Sequence, residues 1–295
     1  MNAIELNAVS YQHKEFKLND VSFRVPQGFV TGFIGANGVG KTTIIRLIMN
    51  LIEPNNGQIL LFNKSMSHHA VELKNKIGFI YSELYLNDKW TVKKIESYIA
   101  PFYSHWDDTR FDFFLEKFDL PKDKKIKSFS TGMKMKLSIA IAFSHHAELF
   151  ILDEPTSGLD PIVRNEVLDV IQEELIDENK SVFISTHIIS DLEKIADYLV
   201  YIKDGEVILN QFLDDILNQF QIVKGDPKQL DNELIDLTHY IEYNHTGFTA
   251  LTTHANVFKE LFGSEVAITN PTIEELMVYL EKGKIKNKHS NDEMI

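Results

Sequence analysis

The sequence predicts an α/β protein built on a mostly parallel β-sheet that is covered by helices. Strand-like and helix-like segments alternate through the first two-thirds of the 295 residues, which is the pattern of such a sheet. Hydrophobic residues make up 44% and charged residues 25% of the chain, as in ordinary globular proteins. A chain of this length can bury a sizeable core without disulfides or metals.

The elements follow in a consistent order along the chain. The segment KTTIIRLIMNLI reads as a helix that ends before Pro54 and a turn at Asn55–Gly57. From Thr91 to Phe143 apolar residues recur at helical spacing, which predicts a helical insertion. The residues around Asp204-Gly205 predict a hairpin. The predicted strands are IELNAVSY, DVSFRV, FVTGFIG, QILLF, KIGFIY, ELFILDE and SVFIST.

The hydrophobic pattern of the sequence changes after about residue 216, where segments with helix-like or strand-like periodicity become short and weak. We therefore predict a domain over residues 1–215, with a helical subdomain at about 86–145, and an accessory region over 216–295. From Lys282 onward lysines alternate with polar residues, which favours a solvated, partly disordered end.

Charge and composition exclude several classes of function. The formal net charge of −13 argues against sequence-independent binding to nucleic acid and disfavours adsorption to anionic lipid. No apolar run approaches the roughly 20 residues of a membrane helix, and the first residues do not resemble a secretory signal. The absence of cysteine excludes disulfides and thiol catalysis and suits a cytosolic protein. If the chain works at a membrane, we expect a protein to hold it there.

A phosphate-binding loop follows the third predicted strand. Residues 35–42 read GANGVGKT, the GxxxxGKT pattern, between a strand and a helix. The glycines allow backbone N–H groups to turn around a phosphate, and the helix N-terminus adds partial positive charge. Lys41 can reach the β- and γ-phosphates, and Thr42 is placed to ligate Mg²⁺. The nucleotide-binding residues predicted here are Gly35, Asn37, Gly38, Gly40, Lys41, Thr42 and Thr43.

A second acidic motif completes the chemistry of phosphoryl transfer. The apolar strand Leu149–Leu152 delivers Asp153 and Glu154 at its carboxyl end, where α/β sheets place ligands. Asp153 can hold Mg²⁺, and Glu154 can act as the general base toward water. Alone, such a pair would more often be a helix-capping turn, but beside a phosphate loop it favours a catalytic site.

With these motifs the sequence resembles the nucleotide-binding subunits of ATP-binding-cassette (ABC) transporters over roughly residues 2–215. The resemblance implies a P-loop NTPase cassette with a RecA-like sheet, antiparallel strands and a helical subdomain. The family's signature loop LSGGQ corresponds to residues 129–133, FSTGM, in which Ser130 and Gly132 match while Thr131 and Met133 depart. In the family this loop contacts ATP bound to an opposing subunit, which implies a head-to-tail dimer. The residues alone would also suit a plain helix N-cap at Ser130.

Further positions take their roles from the same resemblance. Tyr11 lies where the family stacks an aromatic ring on adenine, although it would also suit a half-buried strand tyrosine. Asp160 lies in a segment similar to the loop that couples the two subunits, or in a turn before a helix. His187 matches the histidine that senses the γ-phosphate, so we expect Glu154, His187 and Lys41 to be catalytic.

One family motif departs from its usual form. In the family this segment ends in a glutamine. Here it reads Tyr81-Ser82-Glu83, and Ser82 occupies the glutamine position with Glu83 next to it. Serine is too short to reproduce the reach of glutamine toward Mg²⁺, so two alternatives stay open: Glu83 takes that role, or a water bridges from Ser82. An ordinary acidic loop is the alternative. The pairs His68-His69 and His145-His146 show no third ligand, and we expect no metal there.

The resemblance implies the ATPase subunit of a transporter with a separate membrane permease, peripheral at the cytoplasmic membrane face, with ATP and Mg²⁺ as cofactors. Pairing with a second ATP-binding subunit is expected, a homodimer being simpler than a heterodimer. Residues 271–277, PTIEELM, resemble a segment of drug- and peptide-exporter cassettes and read as a capping box with Thr272 and Glu275. This favours export, as in the ATPases of phenol-soluble modulin exporters. Aromatic residues in the helical insertion would either receive the permease or form core: Trp90, Tyr98, Phe102, Tyr103 and Trp106.

Two other classes fit less well. Soluble ABC ATPases that act on ribosomes or DNA carry two cassettes, coiled coils or zinc modules, none of which is visible, and the acidic charge also opposes nucleic acid. A P-loop kinase or GTPase would leave the signature loop and the His187 segment unexplained.

Overall fold

A six-stranded sheet forms the centre of the first part of the chain. In the computed structural model, which describes residues 1–82, 84–245 and 247–283, the strand order is β5-β6-β7-β3-β8-β9. The pairs β5–β6, β6–β7, β7–β3 and β3–β8 are parallel. The strands are β3 (Val30–Ile34), β5 (Ile77–Ile80), β6 (Leu149–Asp153), β7 (Ser181–Ser185), β8 (Tyr198–Lys203) and β9 (Glu206–Phe212). The predicted α/β fold with a mostly parallel sheet is therefore confirmed.

A second sheet is antiparallel and has the order β2-β1-β4. Its strands are β1 (Asn2–His13), β2 (Phe16–Pro26) and β4 (Asn56–Leu61). Aromatic rings join the two sheets: Phe23 stacks on Phe33 and on Phe183, with ring centroids 5.6 and 5.8 Å apart. The main core lies where these strands meet the first helix, so the phosphate-binding loop between β3 and that helix rests on a rigid base.

Seven helices in the described part of this unit connect the strands. Three of them lie between β5 and β6 and form the predicted helical insertion. The helices are α1 (Lys41–Ile48), α2 (Met66–Asn75), α3 (Val92–Ile99), α4 (Asp108–Lys117), α5 (Thr131–Phe143), α6 (Pro161–Glu174) and α7 (Ile189–Ile195). Helix α1 is shorter than predicted, because Asn50 takes a left-handed conformation with φ of 54° two residues after its end.

The chain divides into two units, Met1–Gln211 and a second unit from Phe212 onward. The second unit has a four-stranded antiparallel sheet of order β11-β12-β10-β13. Its β-α-β-β-α-β succession with this order is the split βαβ arrangement. The elements are α8 (Leu213–Gln219), β10 (Gln221–Gly225), α9 (Asn232–Asp236), β11 (Thr238–Asn244), β12 (Gly247–Thr252), α10 (Ala255–Phe262), β13 (Ala267–Thr269) and α11 (Ile273–Lys282).

The second unit has its own apolar core around Val223, Phe248 and Phe258. The predicted capping box at the start of α11 is confirmed: Glu275 N–H donates to the Thr272 hydroxyl, and Thr272 N–H donates to the Glu275 carboxylate. The predicted disordered end falls mostly on residues 284–295, which lie outside the described residues. Within the described ranges, no helix is both long and apolar enough to cross a bilayer.

Candidate nucleotide-binding site

The phosphate-binding loop has the conformation that its glycines permit. Gly38 and Gly40 have φ of 83° and 112°, a region that side chains disfavour. Gly40 also has no room for a side chain, because a Cβ there would lie 2.6 Å from Cζ of Phe16. Helix α1 begins at the next residue, so the first N–H groups of the helix, which have no partner within it, lie at the loop.

Lys41 lies folded into this loop. Its ammonium donates to the carbonyl oxygens of Gly35 at 2.7 Å and Ala36 at 3.4 Å, and the residue is only 7% exposed. Burial lowers the pKa of Lys41, while the charges of Glu154 and Asp153 act in the opposite direction. The lysine therefore lies within electrostatic reach of the two acidic residues that end β6 and follow it.

The carboxyl end of β6 presents Asp153, which is buried at 4% exposure. The Ser185 hydroxyl on β7 donates to Oδ1 of Asp153 at 2.9 Å. No described group donates a hydrogen bond to its second oxygen, which is left for a ligand. Asp153 and the Thr42 hydroxyl supply hard oxygen donors, the type that Mg²⁺ prefers, so the residues present fit that cation.

Glu154 and His187 form a close pair. Nδ1 of His187 lies 2.6 Å from Oε2 of Glu154, and the backbone N–H of His187 donates to the same oxygen at 3.4 Å. Glu154 takes a left-handed backbone conformation with φ of 54°, and its N–H donates to the Ser185 carbonyl at 2.9 Å. The sharp turn after β6 thus aims the Glu154 carboxylate at the histidine that follows β7.

Most of these groups line one cavity of about 440 Å³, but Gly35 and Asp153 are not part of its lining. Ser82, which occupies the position of the family glutamine, lies on the cavity wall. Phe16 and Ser157 also line it, and neither was predicted from the sequence to belong to the site. Glu83, predicted as a metal ligand, lies outside the described residues. The lining comprises Phe16, Asn37, Gly38, Gly40, Lys41, Thr42, Thr43, Ser82, Glu154, Ser157 and His187.

The structure does not bring Tyr11 to this cavity. Tyr11 lines a different cavity, of about 310 Å³, together with Ser10, Gln12 and Asn55. Phe16, on the other side of the β1–β2 turn, is the aromatic residue beside the phosphate-binding loop. The signal that could have identified it is an aromatic residue at the start of β2, but the strand register decides which ring faces the loop.

The signature residues stand apart from the cavity. Ser130 is exposed and caps α5, its hydroxyl accepting from Met133 N–H at 3.2 Å. Gly132 lies close to α6, with Cγ1 of Val163 3.1 Å from where its Cβ would be. Asp160 caps α6 by accepting from Ile162 N–H and Val163 N–H at 3.1 Å each.

A buried ionic network that the sequence analysis missed links the segment after Glu154 to α7. Asp191 is fully buried and accepts from the Thr156 hydroxyl and from Nε of Arg164, both at 2.5 Å. Arg164 also donates to the Ser190 hydroxyl at 2.6 Å. An aspartate beside the buried Leu192 on α7 is the sequence signal, since a carboxylate on an apolar helix face needs a cation.

Comparison with known proteins agrees with this geometry. The family model for the ABC transporter domain matches residues 18–157. Protein YtrB of Bacillus subtilis, an ABC transporter ATP-binding protein, is 30% identical over 203 residues, which cover 69% of each chain. The lantibiotic transport ATP-binding protein SrtF of Streptococcus pyogenes is 36% identical over 67% of this chain and 85% of its own. The chain belongs to the ABC transporter ATP-binding proteins.

Other relatives extend this result. The bacitracin transport ATP-binding protein BcrA of Bacillus licheniformis is 35% identical over 65% of this chain and 63% of its own. A solved ATP-binding subunit of an ABC transporter is 28% identical with a TM-score of 0.67, covering 74% of this ABC protein and 92% of that chain. This ABC protein is therefore a transport ATPase that binds and hydrolyses ATP, and the predicted cassette fold is confirmed.

Proposed function

We propose that this ABC protein is the ATPase subunit of an exporter whose membrane permease is a separate chain. Two of its relatives are named for bacitracin and lantibiotic transport, and this is the observation that carries the proposal. The exporter-like segment 271–277, which opens α11 with a capping box, supports the same direction. Amphipathic peptides are the proposed cargo class, and an exporter of phenol-soluble modulins is the most specific form of this proposal.

ATP would lie with its phosphates against the loop formed by Gly35, Asn37, Gly38 and Gly40, where N–H groups and the start of α1 favour anions. Lys41 would exchange its two carbonyl contacts for phosphate oxygens. Thr43 lines the same cavity and can add a hydroxyl contact. Phe16 takes the adenine-stacking role in place of Tyr11, since only Phe16 lines this cavity.

Mg²⁺ would be held by Thr42 and Asp153, with Ser82 close enough to the cavity to act directly or through water. The ion neutralises phosphate charge when it is bound. The Ser185 hydroxyl fixes one oxygen of Asp153 and so orients the other. Whether Glu83 replaces the family glutamine stays a prediction.

Glu154 would orient the attacking water and accept its proton. In the structure Nδ1 of His187 lies 2.6 Å from Oε2 of Glu154. The histidine must therefore turn toward the γ-phosphate before the Glu154 carboxylate can bind the attacking water. The pairing couples the two groups, because contact between His187 and phosphate frees the base.

The second half of each site would come from another subunit. Ser130 and the start of α5 do not line the chain's own cavity, and their hydroxyl and N–H groups could bind the γ-phosphate of a partner. Asp160 fixes the turn before α6 and would hold the loop that meets the partner. We propose a homodimer because one chain carries both the loop and the signature residues.

A permease would hold the protein at the cytoplasmic face of the membrane. Two aromatic residues of the helical insertion have exposed rings, Tyr98 at 52% and Phe102 at 79% exposure, and suit permease contact. Tyr103 and Trp106 are half-buried, and the ring of Tyr103 stacks on His145 with centroids 3.9 Å apart, so these two rings pack against their own chain and suit permease contact less well.

The test is purification of the tagged chain from its native cells in mild detergent, with mass spectrometry of the proteins that accompany it. A stoichiometric integral membrane protein that is lost with Tyr98→Glu and Phe102→Glu supports the proposal. Tyr243→Glu, a change of an exposed aromatic residue in the second unit, is the matched control. Recovery of ribosomes, or of no membrane protein in several detergents, would favour a soluble ABC ATPase.

A further inference from the structure

Two segments of the helical insertion that are distant in sequence lie side by side. Ile126 N–H donates to the Trp90 carbonyl at 2.9 Å, and Lys127 N–H donates to the Asp88 carbonyl at 3.0 Å. Lys93 N–H donates to the Lys122 carbonyl at 3.1 Å. Residues 88–94 and 122–127 thus form one surface strip.

This strip carries a concentrated positive charge. Its two segments contain seven lysines and two aspartates, a formal charge of +5 in a chain whose net charge is −13. We define the lysine patch as its six exposed lysines, which are Lys89, Lys93, Lys94, Lys124, Lys125 and Lys127. The seventh, Lys122, is half-buried and pairs with Asp112.

The patch lysines carry little compensating charge. Among the described residues, none of the six is within ion-pair distance of a carboxylate. Lys94 lies over the stacked rings of Trp90 and Tyr98, 5.3 and 5.8 Å from their centroids.

Five carboxylates lie on or beside the strip: Asp88, Glu96, Asp108, Asp112 and Asp123. Asp88 is 3.5 Å from Lys134, and Asp112 is held by Lys122, so two of them are partly neutralised. Asp108 and Asp123 are exposed, and Asp108 acts on Lys122 from the start of α4. Burial raises the pKa of Glu96. The seven lysines of the strip still outnumber these five carboxylates, so the strip keeps a net positive charge in an acidic chain.

We propose that the lysine patch binds the anionic headgroups of membrane phospholipids. The net charge of the whole chain does not oppose this locally, because salt screens exposed charges beyond about 8 Å at physiological ionic strength. Each lysine close to an anionic bilayer adds to the attraction, and six together give a sizeable affinity.

The composition of the patch favours lipid over a protein partner. Lysine is depleted in the cores of protein interfaces, where arginine is enriched, and the patch contains no arginine. The exposed ring of Tyr98 stands on the same helix as Lys93 and Lys94, and amphipathic rings suit the level of the headgroups.

The experiment is co-sedimentation of the purified full chain with vesicles of phosphatidylcholine alone or mixed with an equal part of phosphatidylglycerol. The variant carries Lys89→Gln, Lys93→Gln, Lys124→Gln and Lys125→Gln. The matched control removes four exposed lysines elsewhere, through Lys14→Gln, Lys224→Gln, Lys228→Gln and Lys259→Gln. None of the eight residues lines the nucleotide cavity, so ATPase activity reports that each protein is folded.

We expect binding to the mixed vesicles only, weakened by salt, with a partition coefficient at least about tenfold lower in the patch variant and little changed in the control. Absence of binding to mixed vesicles at low ionic strength would overturn the proposal, and so would equal loss in both variants. Salt-sensitive binding to single-stranded RNA without vesicle binding would overturn it in favour of nucleic acid. None of these outcomes bears on export, which the permease purification tests separately.

Discussion

Replacement of Phe16 tests the assignment of the adenine platform. Phe16 lines the cavity of the phosphate-binding loop, whereas Tyr11 lines another. Its Cζ lies 2.6 Å from the position that a Cβ on Gly40 would take, so the ring sits directly against the loop. Phe16→Ala removes the flat surface on which a base could stack, while Tyr11→Ala leaves the cavity wall intact.

The magnitude follows from stacking energies. Stacking of a base on an aromatic side chain is worth about 1–3 kcal/mol by alanine substitution. Phe16 is half-buried by its own chain, which leaves part of its ring for adenine and favours about 1–2 kcal/mol. This corresponds to a dissociation constant for ATP that rises about 5- to 30-fold. Tyr11→Ala should change it by less than about twofold.

Calorimetric titration with ATP and with GTP measures these constants. Stacking tolerates any base, so Phe16→Ala should weaken both nucleotides similarly. Phe16→Leu keeps apolar packing against Gly40 but loses the flat ring, which separates stacking from damage to the loop. A large loss of affinity in Tyr11→Ala, with Phe16→Leu unchanged, would refute the assignment.

Four further predictions concern the site and its support. Glu154→Gln should retain ATP binding, abolish turnover and yield a stable dimer with ATP in size-exclusion chromatography; unchanged turnover would remove Glu154 from the base role. Lys41→Ala should lose most ATP affinity in the same titrations, because a buried cation beside the phosphates is removed, and near-normal binding would contradict this. Asp191→Ala should lower the free energy of unfolding by about 2–3 kcal/mol in urea, since it removes the buried acceptor of the Thr156 hydroxyl and of Arg164, which is partly exposed and keeps Ser190; a loss below about 1 kcal/mol would show that the network does not support the site. Burial lowers the pKa of His145, whose Nε2 lies 3.0 Å from the Ile77 carbonyl, so unfolding takes up a proton. Stability should therefore fall as pH drops below about 6.5, by at most about 1.4 kcal/mol per pH unit, and His145→Gln should flatten this dependence.

Local motifs explain why much of the site could be predicted from sequence. The phosphate-binding loop and the Asp153-Glu154 turn each depend on a strand, a turn and a helix that follow one another directly. Their residues meet because parallel strands end at a common sheet edge, and the structure places Lys41, Glu154 and His187 on one cavity.

The aromatic residue beside the phosphate-binding loop could not be predicted in the same way. Strands β1 and β2 shift register between Val9 and Tyr11, and such an irregularity moves side chains from one face of a sheet to the other. The motif position therefore identifies the turn correctly, yet it does not determine that Phe16 rather than Tyr11 faces the loop.

Long-range pairing limits prediction elsewhere. The strands of the second unit have only three to seven residues and pair out of sequence order, so their weak periodicity did not reveal the split βαβ arrangement. The capping box of α11 was predictable because it spans four residues. The lysine patch arises from hydrogen bonds between two distant segments, which net charge alone conceals.

The central claim is that this ABC protein drives a cargo out of the cell through a separate permease. The most direct measurement is uptake of a labelled amphipathic peptide into inside-out membrane vesicles that contain the co-purified complex, with ATP supplied outside. Export predicts ATP-dependent accumulation of the peptide in the vesicle lumen, and none with Glu154→Gln. Vigorous ATP hydrolysis without accumulation of any amphipathic peptide, or ATP-driven release of a preloaded one, would contradict the account.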